Sequence, residues 1–225
     1  MERMDPRFIT LTFHGIGDID RPLDDGEGDV WIDRQLFGAV LDHVSGRADV
    51  RLTFDDGNAS DVRHALPELE RRKLRGTFFV VAERLGRPGF LSAGDVRALA
   101  DAGMAIGCHG MRHVPWRHLP DEGLHEELVE AKAQLEGVLD RPVTEASCPF
   151  GAYDRRVLRA LRRCGYDRVY TSDGGTAHPD AWLQARTSIH SADRADAVLT
   201  TATASEAQPV ARLQRHAKLA VKRWR

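Results

Sequence analysis

The 225-residue chain reads as an α/β protein built on a parallel sheet. Two observations predict this. Short apolar runs rich in β-branched and aromatic residues alternate with longer segments of helical periodicity, and strand-helix alternation of this kind makes each helix a crossover between parallel strands. The length also suits a single domain of this class with one substantial core.

Strands are predicted over residues 8–13, 50–54, 77–81, 104–108, 144–148 and 168–171, and helices over 32–44, 59–73, 93–102, 122–139 and 155–164. Gly103 and Gly165 follow two of the helical patterns as stop signals, and Asp154 is placed to cap the helix that Gly165 ends. The pattern is β-α repeated about six or seven times, which either closes into a barrel or stays open and doubly wound. In both architectures chemistry collects at the C-terminal ends of the strands.

Composition excludes several function classes. With 32 basic and 34 acidic side chains the formal charge is −2, so no field of one sign spans the molecule and nucleic acid is not an expected partner. No stretch approaches the ~18 apolar residues of a membrane span. The opening Met1-Glu2-Arg3-Met4-Asp5-Pro6-Arg7 is charged where a signal peptide needs an apolar run, so a cytoplasmic location is expected. Cys108, Cys148 and Cys164 form no C-x-x-C pair and read as reduced, semi-buried small hydrophobes. Residues 1–205 are read as one domain, the part of the chain that holds the motifs below. Residues 206–225 form a basic helix or tail, with six Lys/Arg and no acid from Val210 on; it either packs on the domain or touches anionic lipid. Nothing in the sequence speaks to oligomeric state.

Three signals sit at predicted strand ends. In Thr53-Phe54-Asp55-Asp56-Gly57 two adjacent carboxylates leave a strand in different directions, so one can ligate a metal while the other approaches a water. In Cys108-His109-Gly110-Met111-Arg112-His113 two imidazoles four residues apart can share that metal, and one carboxylate with two histidines leaves open positions for water and substrate. In Cys148-Pro149-Phe150-Gly151-Ala152-Tyr153-Asp154 a Pro-aromatic-Gly turn offers a ring as a wall for a sugar and a backbone N–H to an oxyanion, which marks Pro149, Phe150 and Gly151 as substrate-binding. Taken singly, each signal has a plain alternative: a helix cap at Asp56 or Asn58, a surface histidine pair, an ordinary strand-to-helix turn.

Over roughly residues 8 to 190 the sequence resembles the polysaccharide deacetylase (NodB-like) family, carbohydrate esterase family 4. Thr53-Phe54-Asp55-Asp56-Gly57 is similar to its first motif, His109-x-x-x-His113 to its second, and Gly76-Thr77-Phe78-Phe79-Val80 to its third core strand. The resemblance implies a distorted (β/α) barrel of seven or fewer strands, a zinc ion on Asp56, His109 and His113, and Asp55 as general base. Cobalt, nickel or iron also suit those ligands. The implied reaction is hydrolytic N-deacetylation of an N-acetylated sugar in a polymer, oligomer or biosynthetic precursor. A hydrolase of a non-sugar amide and a silent carbohydrate-binding member are the alternatives.

Two departures from the family pattern bear on the site. The Arg that opens the third motif and orients the catalytic Asp is replaced by Ser147, and Arg186 is the residue able to supply that cation or to meet substrate. The closing Leu-x-His motif, source of the general acid, has only a partial echo in Ile189-His190; His14, in Phe13-His14-Gly15-Ile16, is the favoured alternative.

Overall fold

The computed structural model describes residues 7–207, 217, 219–222 and 224. Strands β1 (Phe8–Phe13), β2 (Val50–Phe54), β3 (Gly76–Val80), β4 (Ala105–Cys108), β5 (Glu145–Ser147) and β6 (Arg168–Thr171) pair in parallel, each with the next. The helices between them are α1 (Arg34–Val44), α2 (Leu66–Arg71), α3 (Ala93–Asp101), α4 (Asp121–His125), α5 (Ala131–Leu139) and α6 (Arg155–Arg163). These are the elements expected from the sequence, with boundaries moved by one or two residues and two interruptions. A π-helical turn, Asp61–Ala65, precedes α2, and another, Glu126–Glu130, joins α4 to α5.

Closure comes from strands too short for sequence periodicity to show. After β6 the chain forms β7 (Thr176–Ala177), antiparallel to the start of β1, then β8 (Leu183–Ala185) beside β6 and β9 (Thr187–Ser188) beside β1. Only Arg186 separates β8 from β9. One bent segment therefore joins the sheet's two ends and nearly closes a distorted (β/α) barrel. Helix α7 (Val198–Ala207) packs across β1 and β7.

The two faces of each strand have separate jobs. Outward residues, among them Leu11, Phe13, Leu52, Phe54, Phe78, Val80 and Cys108, bury against the helices. Phe13, Phe54 and Phe78 stack across three neighbouring strands, with ring centroids 5.3 and 4.4 Å apart, and Phe37 of α1 meets Phe13 edge-on at 5.0 Å. The inward face is polar: the Thr12 and Thr53 hydroxyls lie 2.9 Å apart, and Tyr170 donates to Glu145 at 3.2 Å. Gly107 makes room for this lining, since a Cβ there would fall 2.4 Å from the Phe79 ring.

Cys108 and Cys148 are buried, Cys164 is half-buried, and all three are free thiols. The C-terminal tail lies largely outside the described residues. Within it Leu219 is buried, and Lys222 reaches Asp173 at 2.7 Å and the Gly151 carbonyl at 3.1 Å. No helix among the described residues is long and apolar enough to cross a membrane.

Because Phe54 is fully buried and touches three rings, Phe54→Ala leaves a cavity that its neighbours cannot refill. The expected cost is about 3–5 kcal/mol. Urea denaturation checks this; a loss below about 1 kcal/mol would contradict the account of the stack.

Candidate active site

The C-terminal ends of β1, β2, β4 and β5 bring the chemistry-bearing side chains together. Asp55 extends β2 by one ladder bond, its N–H donating to Phe13 O at 2.9 Å, and His109 extends β4 in the same way toward Val80 O. Directly after Asp55 the backbone turns left-handed at Asp56 (φ 77°) and Gly57 (φ 69°), so the two carboxylates diverge. His113 (φ 59°) and Phe150 (φ 56°) share that sparsely populated conformation, strain of the kind that persists where surrounding structure holds a functional loop in place.

Asp56, His109 and His113 converge, each offering a ligand atom within 4.8 Å of the others. The Asp56 Oδ1 atom is buried and accepts no hydrogen bond from the described residues, although His113 Nε2 lies 3.1 Å and His109 Nε2 3.5 Å from it. Three lone-pair atoms facing one point, with a buried oxygen otherwise unsatisfied, fit a cation. His109 Nδ1 lies 2.9 Å from the Ser147 carbonyl, which holds the proton on Nδ1 and frees Nε2. Burial pushes the His109 imidazole down to about 4, so it is neutral around pH 7.

The loop that carries His113 is tied down by Glu127. This buried carboxylate on the second π turn accepts from the N–H groups of Met111 (2.9 Å) and Arg112 (3.1 Å) and from Trp116 Nε1 (3.2 Å). Gly110 gives it access, since a Cβ there would sit 2.2 Å from Glu127 Oε2. The sequence does contain a signal for this clamp: an acid on the helix face that otherwise buries Leu124, Leu128, Ala131 and Leu135.

Asp55 is gripped from within the barrel. Arg186, only 1% exposed, donates from Nη1 to Oδ1 and from Nη2 to Oδ2, both at 2.7 Å, and from Nη2 to the Ser147 hydroxyl at 2.5 Å. That hydroxyl donates in turn to Asp55 Oδ2 at 3.3 Å. Burial alone would raise the Asp55 pKa; the Arg186 charge and hydrogen bonds, helped by His109, outweigh it and hold the carboxyl well below the usual range. Arg186 thus meets Asp55 rather than substrate, because its guanidinium is enclosed and its donors are committed.

The mouth of the site is a cavity of about 380 Å³ lined by His14, Asp55, Asp56, His109, His113, Phe150 and His190, with Asp24, Asp25 and Glu27 along one wall. His14 and His190 arrive together because β9 pairs with β1. His14 is partly enclosed, with Nδ1 buried and lacking a partner; His190 is exposed. Phe150 is 61% exposed and stands 4.6 Å from the His113 ring, whereas Pro149 and Gly151 are buried behind it and do not line the cavity.

The family model for polysaccharide deacetylases matches residues 43–169, more than half of the chain, from before β2 into the first half of β6. The chain belongs to the polysaccharide deacetylase family. Among similar relatives are YxkH of Bacillus subtilis (strain 168), named for polysaccharide deacetylases, at 26% identity over 60% of this chain and 49% of its own, and a chitin deacetylase of Arthroderma benhamiae at 27% over 64% and 40%. The match thus spans half or less of these relatives' length. The fold is similar to that of the Streptococcus pyogenes deacetylase PplD, solved in complex with acetate (TM-score 0.77, 18% identity, 88% of this chain and 99% of that one). It is also similar to a polysaccharide deacetylase of Bacillus cereus (TM-score 0.75, 20% identity, 88% and 69%). His14, Arg186 and His190 lie outside the matched segment.

A third carboxyl sits behind this site. Asp61, on the first π turn, is fully buried with both oxygens unpaired among the described residues, and burial together with the charges of Asp56 and Asp55 raises its pKa well above the ordinary value. It keeps its proton in the folded state where the unfolded chain has lost it. Above pH ~4 the folded state then binds more protons than the unfolded, so this group lowers stability as pH rises, at about 1.4 kcal/mol per unit until its folded pKa is reached. Asp61→Asn, uncharged at every pH, is therefore expected to stabilise the metal-free protein, and more at pH 8 than at pH 4.5. Urea denaturation at the two values tests it; an equal effect at both would show that Asp61 is ionised.

Proposed function

We propose that the chain is a metal-dependent hydrolase that removes the acetyl group from an N-acetylated sugar in a polysaccharide, oligosaccharide or biosynthetic precursor. The observation that carries this reading is the juxtaposition of an unsatisfied Asp56-His109-His113 cluster with a clamped Asp55 whose Oδ2 is 3.6 Å from His109 Nε2. The chitin deacetylase among the relatives and the acetate complex of PplD support the sugar substrate and the acetate product.

Asp56, His109 and His113 would hold the ion, with zinc expected from the donor set and cobalt, nickel or iron also accommodated. Such an ion supplies Lewis-acid polarisation of an acetyl carbonyl and acidifies a water. A carboxylate held as low as Asp55 is a weak base. Its contribution is to be ionised at every working pH and aimed by Arg186, so that it would accept a proton from the attacking water. Phe150, exposed beside His113, forms a wall for a sugar ring. His14 or His190, at the cavity mouth, would protonate the leaving nitrogen so that it departs as a neutral amine. His14 is favoured, because its partial enclosure fixes the ring.

Asp55→Asn is expected to retain metal while turnover falls by about 10²–10⁴-fold, whereas His113→Ala loses metal and turnover together. Plasma mass spectrometry alongside acetate release from N-acetylated sugars and small cyclic amides checks both. Wild-type acetate release by Asp55→Asn would refute the base assignment, and cleavage of the amides alone would refute the sugar substrate. For the acid, His14→Ala should cost more kcat than His190→Ala; full turnover by His14→Ala would transfer the role to His190.

A further inference from the structure

At the opposite end of the barrel lies a second cavity, of about 480 Å³, within the range of small-molecule sites. Its wall includes the opening residues of six strands, Phe8, Val50, Gly76, Ala105, Glu145 and Arg168, so it is the N-terminal mouth. Such mouths in βα barrels ordinarily serve stability and are closed by side chains that satisfy one another. This one is not closed in that way.

Five cations surround it: Arg47, Arg51, Lys73, Arg75 and Arg168. Asp49 neutralises Arg47 at 2.6 Å and Glu145 neutralises Arg168 at 2.9 Å. Arg51, Lys73 and Arg75 have no carboxylate within ion-pair distance among the described residues, and the carboxyls acting on Arg51 from farther away are Glu145 and the exposed Asp180. Arg51 is fixed with its guanidinium 4.0 Å over the Phe8 ring, and its Nη1 is buried without an acceptor among the described residues. A chain of net charge −2 has carboxylates enough to pair these groups, yet it gathers three cations around one hollow. Like charges so placed repel one another, and a bound multivalent anion would reverse the sign of that interaction.

We propose that this mouth is a binding site for a small molecule bearing a di- or polyphosphate group, held by charge-assisted bonds from Arg51, Lys73 and Arg75. Forked guanidiniums flanking a point charge are the donor set that phosphate oxygens take. The site is independent of the deacetylase reading, being formed at the other end of the same strands.

The probe is inorganic pyrophosphate, titrated calorimetrically at constant ionic strength into the wild-type protein and three variants. Saturable binding near one equivalent is expected. It should weaken by about tenfold in Arg51→Gln and in Arg75→Gln and persist in Asp56→Asn, whose candidate metal centre is disabled. Arg75 is exposed, so its variant tests the site even if Arg51→Gln fails to fold. Absence of saturable binding, binding unchanged in Arg75→Gln, or binding lost only in Asp56→Asn would each overturn the proposal.

Discussion

The ion pair between Asp55 and Arg186 is the constraint on which the rest of the structure turns. Its partners are 131 residues apart, one at the end of the second strand and the other at the bend that closes the barrel. Two charges this deep in a protein are costly to desolvate, and the cost is offset only when geometry is good and the remaining donors are satisfied. Here both carboxylate oxygens are met, and Thr53, Ser147 and the Thr171 carbonyl take other donors of the guanidinium. Joining the sheet's ends and orienting the candidate base are consequently one event. A chain that failed to form the 183–188 segment would lose both.

The pair also explains why the strands are two-faced. If the inward face were filled by aliphatic layers, a guanidinium could not be solvated there by anything but its own carboxylate. Instead the inward positions carry Thr12, Thr53, Ser147, Tyr170 and Gln184, with Phe79 5.2 Å from the guanidinium as a cation-π partner. Hydrophobic stabilisation is therefore delegated to the outward face, where the Phe13-Phe54-Phe78 stack joins the helices. Specificity of register follows, because a one-residue slip of β2 would drive Phe54 inward and turn Asp55 away from Arg186.

This division accounts for what the sequence made legible. The outward faces and helices have strong periodicity, so six strands and five helices were readable to within a few residues, and Asp55-Asp56 and His109/His113 stood out because they interrupt apolar runs at strand ends. Strands of two or three residues such as β7, β8 and β9 have no period to detect, and their existence depends on partners distant in sequence. The π turns themselves leave no periodic trace, and Asp61 differs from an ordinary helical acid only through burial, whereas Glu127 at least interrupts an apolar helix face. Arg186 was visible as a residue but not as a contact: whether an arginine meets solvent, substrate or a carboxylate is decided by the barrel. The same holds for Pro149 and Gly151, which shape the turn that presents Phe150 and do not face the cavity.

Ser147 shows how one site tolerates a displaced cation. In a closed barrel the inward vectors of all strands converge, so a guanidinium needed beside Asp55 can come from β5 or from the closing segment with little change in its final position. The two origins exclude each other, because the space holds one guanidinium and the carboxylate compensates one charge. With Arg186 in place, position 147 must be small and polar. Its hydroxyl receives an Arg186 donor at 2.5 Å and faces Asp55 at 3.3 Å, while its carbonyl fixes the His109 ring. An arginine at 147 would bring a second unpaired buried charge, and a serine at 147 without Arg186 would leave Asp55 buried and uncompensated. Positions 147 and 186, 39 residues apart in sequence, are thus physically coupled: a change at either alters what the other must be.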